Sequence, residues 1–323
     1  MNVVVSVAIV TYNHEKFIAQ AIESALNQQT DFRYEIVVGD DASSDSTFNI
    51  CCRYKNEFPD KIKLVRSNTN RGLVWNYLQV LNECSGKYIA ILEGDDYWTD
   101  RAKLRKQIEI LEHDCEVGLV HTDNDQLTRE GLIIKSYKKT RGIKPVNGYV
   151  YESLLKRNFI ASLTVCFRKE LFDRYVDFEK FLEEKLTTID YPLWLELSFH
   201  SKVCYINEST AVYRILGTSL TNNRDFDKME KYYNNGRRMK KYFVEKYGSD
   251  YFDNKKVDFQ YDSGLLKWAI ILKNRNKALE YLGKIKSNKF TFNLLFLLLK
   301  INPIFDLSSF IMNNSKRLKL SFR

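Results

Sequence analysis

Two Asp-Asp pairs are the most chemically suggestive residues of this 323-residue chain: Asp40-Asp41, inside Val37-Val-Gly-Asp-Asp-Ala-Ser-Ser-Asp45, and Asp95-Asp96, inside Leu92-Glu-Gly-Asp-Asp-Tyr-Trp98. Hard cations such as Mn²⁺ or Mg²⁺ take oxygen ligands, often only one or two from protein carboxylates, with substrate phosphate and water supplying the rest. Asp95-Asp96 suits that role, because neighbouring side chains at a strand end diverge and Gly94 lets the backbone approach closely. The competing reading of any single such pair is a helix cap or an Asx turn. Two glycines nowhere stand as G-x-G, and no G-x-x-x-x-G-K occurs, so neither a dinucleotide fingerprint nor a P-loop is present. Without a glycine nest, the remaining way to neutralise a diphosphate is a cation held by carboxylates. The four histidines form no H-E-x-x-H, which excludes a zinc hydrolase of that type.

These residues matter because of what precedes them. Val3 to Val10 is an almost unbroken apolar run, as expected of a strand covered on both faces, and it ends in Thr11-Tyr12-Asn13. Phe17, Ile18, Ala21, Ile22, Ala25 and Leu26 then recur at helical spacing, with Asn13 placed to cap. Strands are predicted at 34–38, 61–65 and 87–92, and helices at 46–54, 73–81 and 100–113. Strict alternation of this kind predicts an α/β fold with a doubly wound, mostly parallel sheet and right-handed crossovers. Ligands of such sheets bind beyond the carboxyl ends of the strands, which is where both Asp pairs fall. Further on, strands are predicted at 117–121, 132–137, 163–167, 203–206 and 210–216, and helices at 150–156 and 191–200.

Charge divides the chain. From Asp227 onward 21 Lys/Arg face 9 Asp/Glu, whereas the residues before carry a slight acidic excess within a total of +9. The expected organisation is therefore a catalytic domain over 1–225 and a basic helical region over 226–323. Phe290 to Met312 is strongly apolar but interrupted by Asn293, Lys300, Asn302, Pro303 and Asp306. It is too broken to span a bilayer. Packing of these helices, on the catalytic domain or on a second subunit in an oligomer, is one reading. The other is a surface resting on anionic lipid through Lys316, Arg317, Lys319 and Arg323. Nucleic acid is not an expected partner, given the acidic front and the lack of a basic-aromatic motif. Six scattered cysteines without C-x-x-C, and an N-terminus without a basic n-region, fit free thiols and a cytoplasmic protein, peripheral on the inner face of the cell membrane if the tail binds lipid.

Taken together, Val5 to Asn13, Val37 to Asp45, Asn70-Arg71-Gly72 with Asn76, Gly86-Lys-Tyr-Ile89 and Leu92 to Trp98 resemble the family 2 glycosyltransferases, nucleotide-sugar-dependent enzymes of the glycosyltransferase A fold. The match is dense over residues 3 to about 115 and thins to about Leu220. The resemblance implies that Thr11 and Tyr12, with Asn13, line the base pocket, that Asp41 accepts a hydrogen bond from the pyrimidine, that Asp95 contacts the ribose and that Asp96 ligates the Mn²⁺ or Mg²⁺. An acceptor-only carboxylate pairs with the uracil imide N–H, which makes a UDP-sugar the expected donor. Thr188-Ile-Asp-Tyr-Pro-Leu-Trp194 is similar to the motif carrying the family's catalytic base, here Asp190; Pro192 independently places Asp190 near a helix start, where it could instead act as a cap. Ala211-Val-Tyr-Arg214 also matches, but Leu216 stands where many members carry a metal-binding His. Arg214 is open to two readings, a diphosphate contact or a surface ion pair. Trp98 and Trp194 flank the acidic motifs and are acceptor-site candidates, core packing being the alternative. The implied activity is inverting transfer of a sugar to a hydroxyl of a saccharide or lipid-linked acceptor in cell-surface polysaccharide synthesis. Its rivals are a sugar-nucleotide pyrophosphorylase, whose glycine-rich phosphate loop is missing after the first strand, and a non-catalytic scaffold acting through the basic tail.

Overall fold

The computed structural model describes residues 2–143, 146–184, 188–216 and 225–285. The chain divides into two compact units, Met1–Leu216 and Gly217–Arg323. The first is built as the alternating sequence pattern dictates. β1 (Val5–Thr11), α1 (Ile18–Leu26), β2 (Tyr34–Asp40), α2 (Thr47–Glu57), β3 (Ile62–Arg66), α3 (Leu73–Asn82) and β4 (Tyr88–Glu93) follow one another, with β1 paired in parallel to both β2 and β4, and β2 to β3. All seven residues of β1 are buried, the consequence of helices covering both faces.

Register is what makes the edge of this sheet useful. Thr11 pairs with Asp40 and Val10 with Glu93, so β1, β2 and β4 end flush and present their last residues side by side. Gly39 is required just before that edge. A Cβ there would lie 2.2 Å from Val80 Cγ2 and 2.5 Å from Asn76 Oδ1, in the seam where α3 closes on the sheet. Asn76 Nδ2 donates to the carbonyls of Thr11 and Gly39 and fastens α3 to both strand ends.

The second half of the unit is mixed. β5 (Tyr97–Trp98) precedes α4 (Lys103–His113), β6 (Val117–Leu127), β7 (Ile133–Ile134), α5 (Tyr137–Thr140), α6 (Tyr151–Lys156), β8 (Cys166–Arg168), α7 (Lys169–Tyr175), α8 (Phe178–Glu183), α9 (Asp190–His200) and β9 (Lys202–Arg214). The sheet order is β3-β2-β1-β4-β8-β6-β9-β5, with β7 paired to β6. β8 runs antiparallel between β4 and β6, β6 and β9 are parallel, and the short β5 is antiparallel to β9.

Several expectations are corrected here. The strand predicted at 132–137 is only Ile133–Ile134, because the chain turns at Ser136 (φ 50°) into α5. The segment at 163–167 is a 3₁₀ turn, Ser162–Thr164, followed by β8. The two strands predicted at 203–206 and 210–216 are one, β9, whose register against β6 shifts near Thr122–Asp125. Asn13 does not cap α1, since no side chain does; its Oδ1 accepts from the Ser44 amide instead.

The second unit is helical as far as it is described: α10 (Phe226–Tyr247), α11 (Asn254–Ile271) and α12 (Arg275–Lys284). Asp225, Asp253 and Asn274 cap them in turn, and Phe226, Met229, Leu265, Trp268, Ala269 and Tyr281 meet in their shared core. Among the described residues no helix is long and apolar enough to cross a membrane. The apolar segment 290–312 and the basic residues Lys316, Arg317, Lys319 and Arg323 lie outside the described residues.

Candidate active site

Three loops meet at the carboxyl edge of the sheet, and the protein holds them by hydrogen bonds of its own. After β1, the amides of Asn13, His14 and Glu15 donate to Ser43 Oγ (2.9 Å), Thr47 Oγ1 (2.8 Å) and Asp45 Oδ2 (3.1 Å) beyond β2. In return Asn13 Oδ1 and Glu15 Oε2 accept from the amides of Ser44 and Ser46. Asn13 and Ala42 sit at positive φ (54° and 57°), a conformation costly outside glycine that these cross-links maintain. The loop fixes Thr11 at the buried edge and leaves Tyr12 exposed above it.

The first Asp pair is absorbed by the fold. Asp41, buried, accepts from the amides of Arg71 (2.9 Å) and Gly72 (2.8 Å), one on each oxygen, and so shapes the entry to α3. Asp40, fully buried, accepts from the Ser43 amide and lies 3.4 Å from Arg66 Nε through Oδ2. Its Oδ1 has no partner.

The second pair is different. Asp96 is buried and accepts from the Arg214 amide at 2.7 Å. Burial, and then the carboxylates of Asp95 and Glu93, push its carboxyl well above the usual range, against the pull of Arg214. Glu93 accepts from the Tyr77 hydroxyl at 2.8 Å. Burial raises its carboxyl to about 7, with Asp95 and Asp190 adding to the rise and the Tyr77 hydroxyl opposing it. Asp190, at the first turn of α9, is itself raised by burial, against the backbone amides of residues 190 and 191 and the Thr188 side chain. Glu93, Asp95 and Asp96 thus form an acidic cluster at the end of β4, and Asp190 at the start of α9, about a hundred residues on in sequence, acts on its Glu93 carboxyl. Glu93 and Tyr77 were not singled out in the sequence, where nothing distinguishes a Glu before Gly94 from a strand-end carboxylate.

The cluster fits a hard cation. A bound dication offsets the like-charge crowding that lifts Asp96. Gly94 leaves a crevice that a Cβ would fill, 2.7 Å from Thr11 Oγ1 and 3.0 Å from His14 Nδ1, and both of those atoms are buried without partners. Among the described residues no three His, Cys, Asp or Glu side chains form a ready-made cage, so any cation held here would need oxygen ligands from phosphate or water as well.

Three expectations are corrected by burial and bonding. Trp98 is 4% exposed, donates through Nε1 to the Leu163 carbonyl and lies under the Lys103 ammonium. Trp194 is wholly buried against Phe167. Neither indole face is open to a sugar. Arg214 is not a surface ion pair: it is buried, its guanidinium donates to the Asp95 carbonyl and to Gln20, and it lies over Phe17 and Tyr97. It braces the turn that carries the second Asp pair.

Residues 6–169, just over half of the chain, match the sequence profile of Glycosyl transferase family 2. The chain belongs to that family. TuaG of Bacillus subtilis, described as a putative teichuronic acid biosynthesis glycosyltransferase, is 28% identical over 222 residues, covering 68% of this chain and 82% of that protein. Chondroitin synthase of Escherichia coli is 29% identical over 210 residues, covering 62% of this chain and 28% of that protein. The chain spans 58% of the length of an uncharacterized Mycobacterium tuberculosis relative that it matches at 29% identity over 209 residues, or 65% of this chain. Among solved structures, Staphylococcus aureus TarS 1–349 in complex with UDP-GlcNAc superposes with a TM-score of 0.59 at 16% identity, covering 98% of this chain and 92% of that one. A mannosyltransferase of Pyrobaculum calidifontis in complex with GDP-Man and Mn²⁺ gives 0.55 at 15% identity, covering 97% and 87%. These likenesses establish the glycosyltransferase A arrangement of the sheet.

Proposed function

We propose that this chain is an inverting, divalent-cation-dependent glycosyltransferase that moves a sugar from a UDP-sugar to a hydroxyl of a saccharide or lipid-linked acceptor in cell-surface polysaccharide synthesis. The observation that carries the reading is the acidic cluster: Asp95 and Asp96 at the end of β4, and Asp190 close enough across the edge to act on the same Glu93 carboxyl. The names of the relatives, and the UDP-GlcNAc and the GDP-Man with Mn²⁺ held by the structural neighbours, support the donor class and the acceptor class.

In this reading Asp96, with Asp95 beside it, holds the Mn²⁺ or Mg²⁺. That ion, when bound, supplies Lewis-acid stabilisation of charge on the diphosphate. Thr11 and Tyr12 flank the nucleoside, Tyr12 offering an exposed ring for stacking. Asp41 reaches the base through the lone pairs its two amide bonds leave. Asp190 is the base: its carboxylate takes the acceptor hydroxyl proton while the hydroxyl oxygen bonds to the anomeric carbon. The bond from that carbon to the diphosphate oxygen breaks, its electron pair leaves with UDP, and the configuration inverts. A carboxyl raised by burial is better matched to that task than a fully exposed one. The protein would work at the cytoplasmic side of the membrane where lipid-linked acceptors are built.

The test is release of nucleotide from a panel of UDP-, GDP- and dTDP-sugars, with and without acceptor glycans. The expected outcome is turnover with a UDP-sugar, reduced ~10²- to 10⁴-fold in Asp190→Asn while calorimetric UDP binding persists. Near-normal transfer by that variant would move the base elsewhere. No UDP binding by the native protein would leave only a scaffold.

A further inference from the structure

His14 lies in the β1–α1 loop with its backbone amide held by Thr47 Oγ1 at 2.8 Å, and neither of its ring nitrogens has a hydrogen-bond partner. The loop on either side is pinned by the amides of Asn13 and Glu15, so the ring is carried on a rigid support. Nδ1 is buried over Gly94, where a Cβ would come within 3.0 Å of it, and no carbonyl or carboxylate there accepts a proton from it. A buried N–H without an acceptor is costlier than a bare lone pair, so the neutral ring carries its proton on Nε2. Burial keeps the ring neutral, lowering its pKa although Asp95 and Asp45 act to raise it. The ring adjoins Gly94, the residue before Asp95-Asp96, and the charged groups that act on it are Asp95, Asp45 and Arg214. The cation expected to meet the diphosphate, Arg214, is tied to the Asp95 carbonyl and Gln20. The donor site therefore holds one preorganised and unused N–H donor.

From this geometry we infer that His14 binds the diphosphate of the nucleotide-sugar through Nε2–H, beside an arginine that the protein itself engages. The inference rests on the proposed donor site and adds to it a specific anion contact. It explains why Gly94 must be glycine: any side chain there would displace the imidazole as well as crowd Thr11.

The test uses the full chain with Mg²⁺ and titrates UDP, UMP and uridine into native protein, His14→Ala, His14→Gln and His14→Asn. A glutamine amide nitrogen reaches the place of Nε2, whereas an asparagine amide nitrogen reaches only that of Nδ1. The expected result is a tenfold to hundredfold (order of magnitude) loss of UDP affinity in His14→Ala and His14→Asn, substantial recovery in His14→Gln, and no change for uridine. Long-range ¹H–¹⁵N correlation on the native protein reads the tautomer without any substitution, and Nε2–H is expected. An Nδ1–H tautomer, recovery by asparagine instead of glutamine, an equal loss on uridine, or native UDP affinity in all three variants would each overturn the role of His14. Absence of UDP binding by the native protein would instead overturn the glycosyltransferase reading itself.

Discussion

The ends of β2 and β4 carry the same dipeptide at the same edge of the same sheet, yet the fold treats them in opposite ways. Asp40-Asp41 is met by the protein: the Arg71 and Gly72 amides fill Asp41, and Ser43 and Arg66 meet one oxygen of Asp40. Asp95-Asp96 is met mainly by other carboxylates, with a single amide on Asp96. The first pair uses its charge to hold a loop in place. The second crowds carboxylates that Arg214 only partly offsets, which is the electrostatic pattern of a cation site. Identical residues at equivalent positions are therefore not equivalent: backbone amides neutralise Asp41 and leave it only spare lone pairs for a base, whereas the β4 pair is crowded by other carboxylates.

The most decisive way to break this comparison is to remove the charge at the β4 end. Asp96→Asn is expected to abolish Mn²⁺ binding, read by electron paramagnetic resonance, and with it transfer activity. EDTA should silence the native enzyme to the same degree, with Mn²⁺ or Mg²⁺ restoring it but not the variant. The thermal midpoint of the metal-free variant should equal or exceed that of native protein, because the asparagine relieves a buried like-charge contact. A native protein fully active in chelator would dissolve the distinction.

The reciprocal change sharpens it. Asp41→Asn replaces one of two charged acceptors facing backbone amides by an NH₂ group, opposing donor to donor. The expected loss is about 1–3 kcal/mol, several degrees in thermal midpoint for a unit of this size, with Mn²⁺ binding retained. Loss of metal without loss of stability at β4, and loss of stability without loss of metal at β2, is the pattern that would confirm the contrast. Equal effects at both ends would refute it.

How legible this was from sequence depended on how local the signal was. β1 to β4 could be read because each is a short apolar run closed by turn residues, and the strand ends named the edge where ligands bind. β5 was missed because two residues, Tyr97 and Trp98, become a strand only by pairing with Val212 and Ala211, far along the chain. β9 was read as two strands because the polar residues 207–209 interrupt an apolar pattern that the bulged pairing with β6 continues. The tryptophans misled for a related reason: an indole beside an acidic motif looks available until packing shows Lys103 on one and Phe167 against the other. Glu93 and His14 carried no sequence signal at all, since an unpaired atom is a property of the folded surroundings and not of residue type.

Glu93 offers the smallest but most specific test. Its carboxyl titrates near 7 in the folded protein, chiefly through burial, against about 4.5 in an unfolded chain. Between those values the folded state binds the extra proton, so the slope of unfolding free energy with pH is negative there: stability is full below about 4.5 and is lost as pH rises toward 7. Glu93→Gln keeps an acceptor for the Tyr77 hydroxyl while removing the titration. In metal-free protein the variant should match the native unfolding free energy near pH 4 and exceed it at pH 8, by on the order of 1–3 kcal/mol at most. Saturating Mn²⁺ with UDP should shrink that gap, because a dication among Asp95 and Asp96 lowers the cost of charging their neighbour. A gap that ignores the metal would mean that Glu93 answers to burial alone, and that the β4 end is less a single electrostatic unit than its four carboxyls suggest.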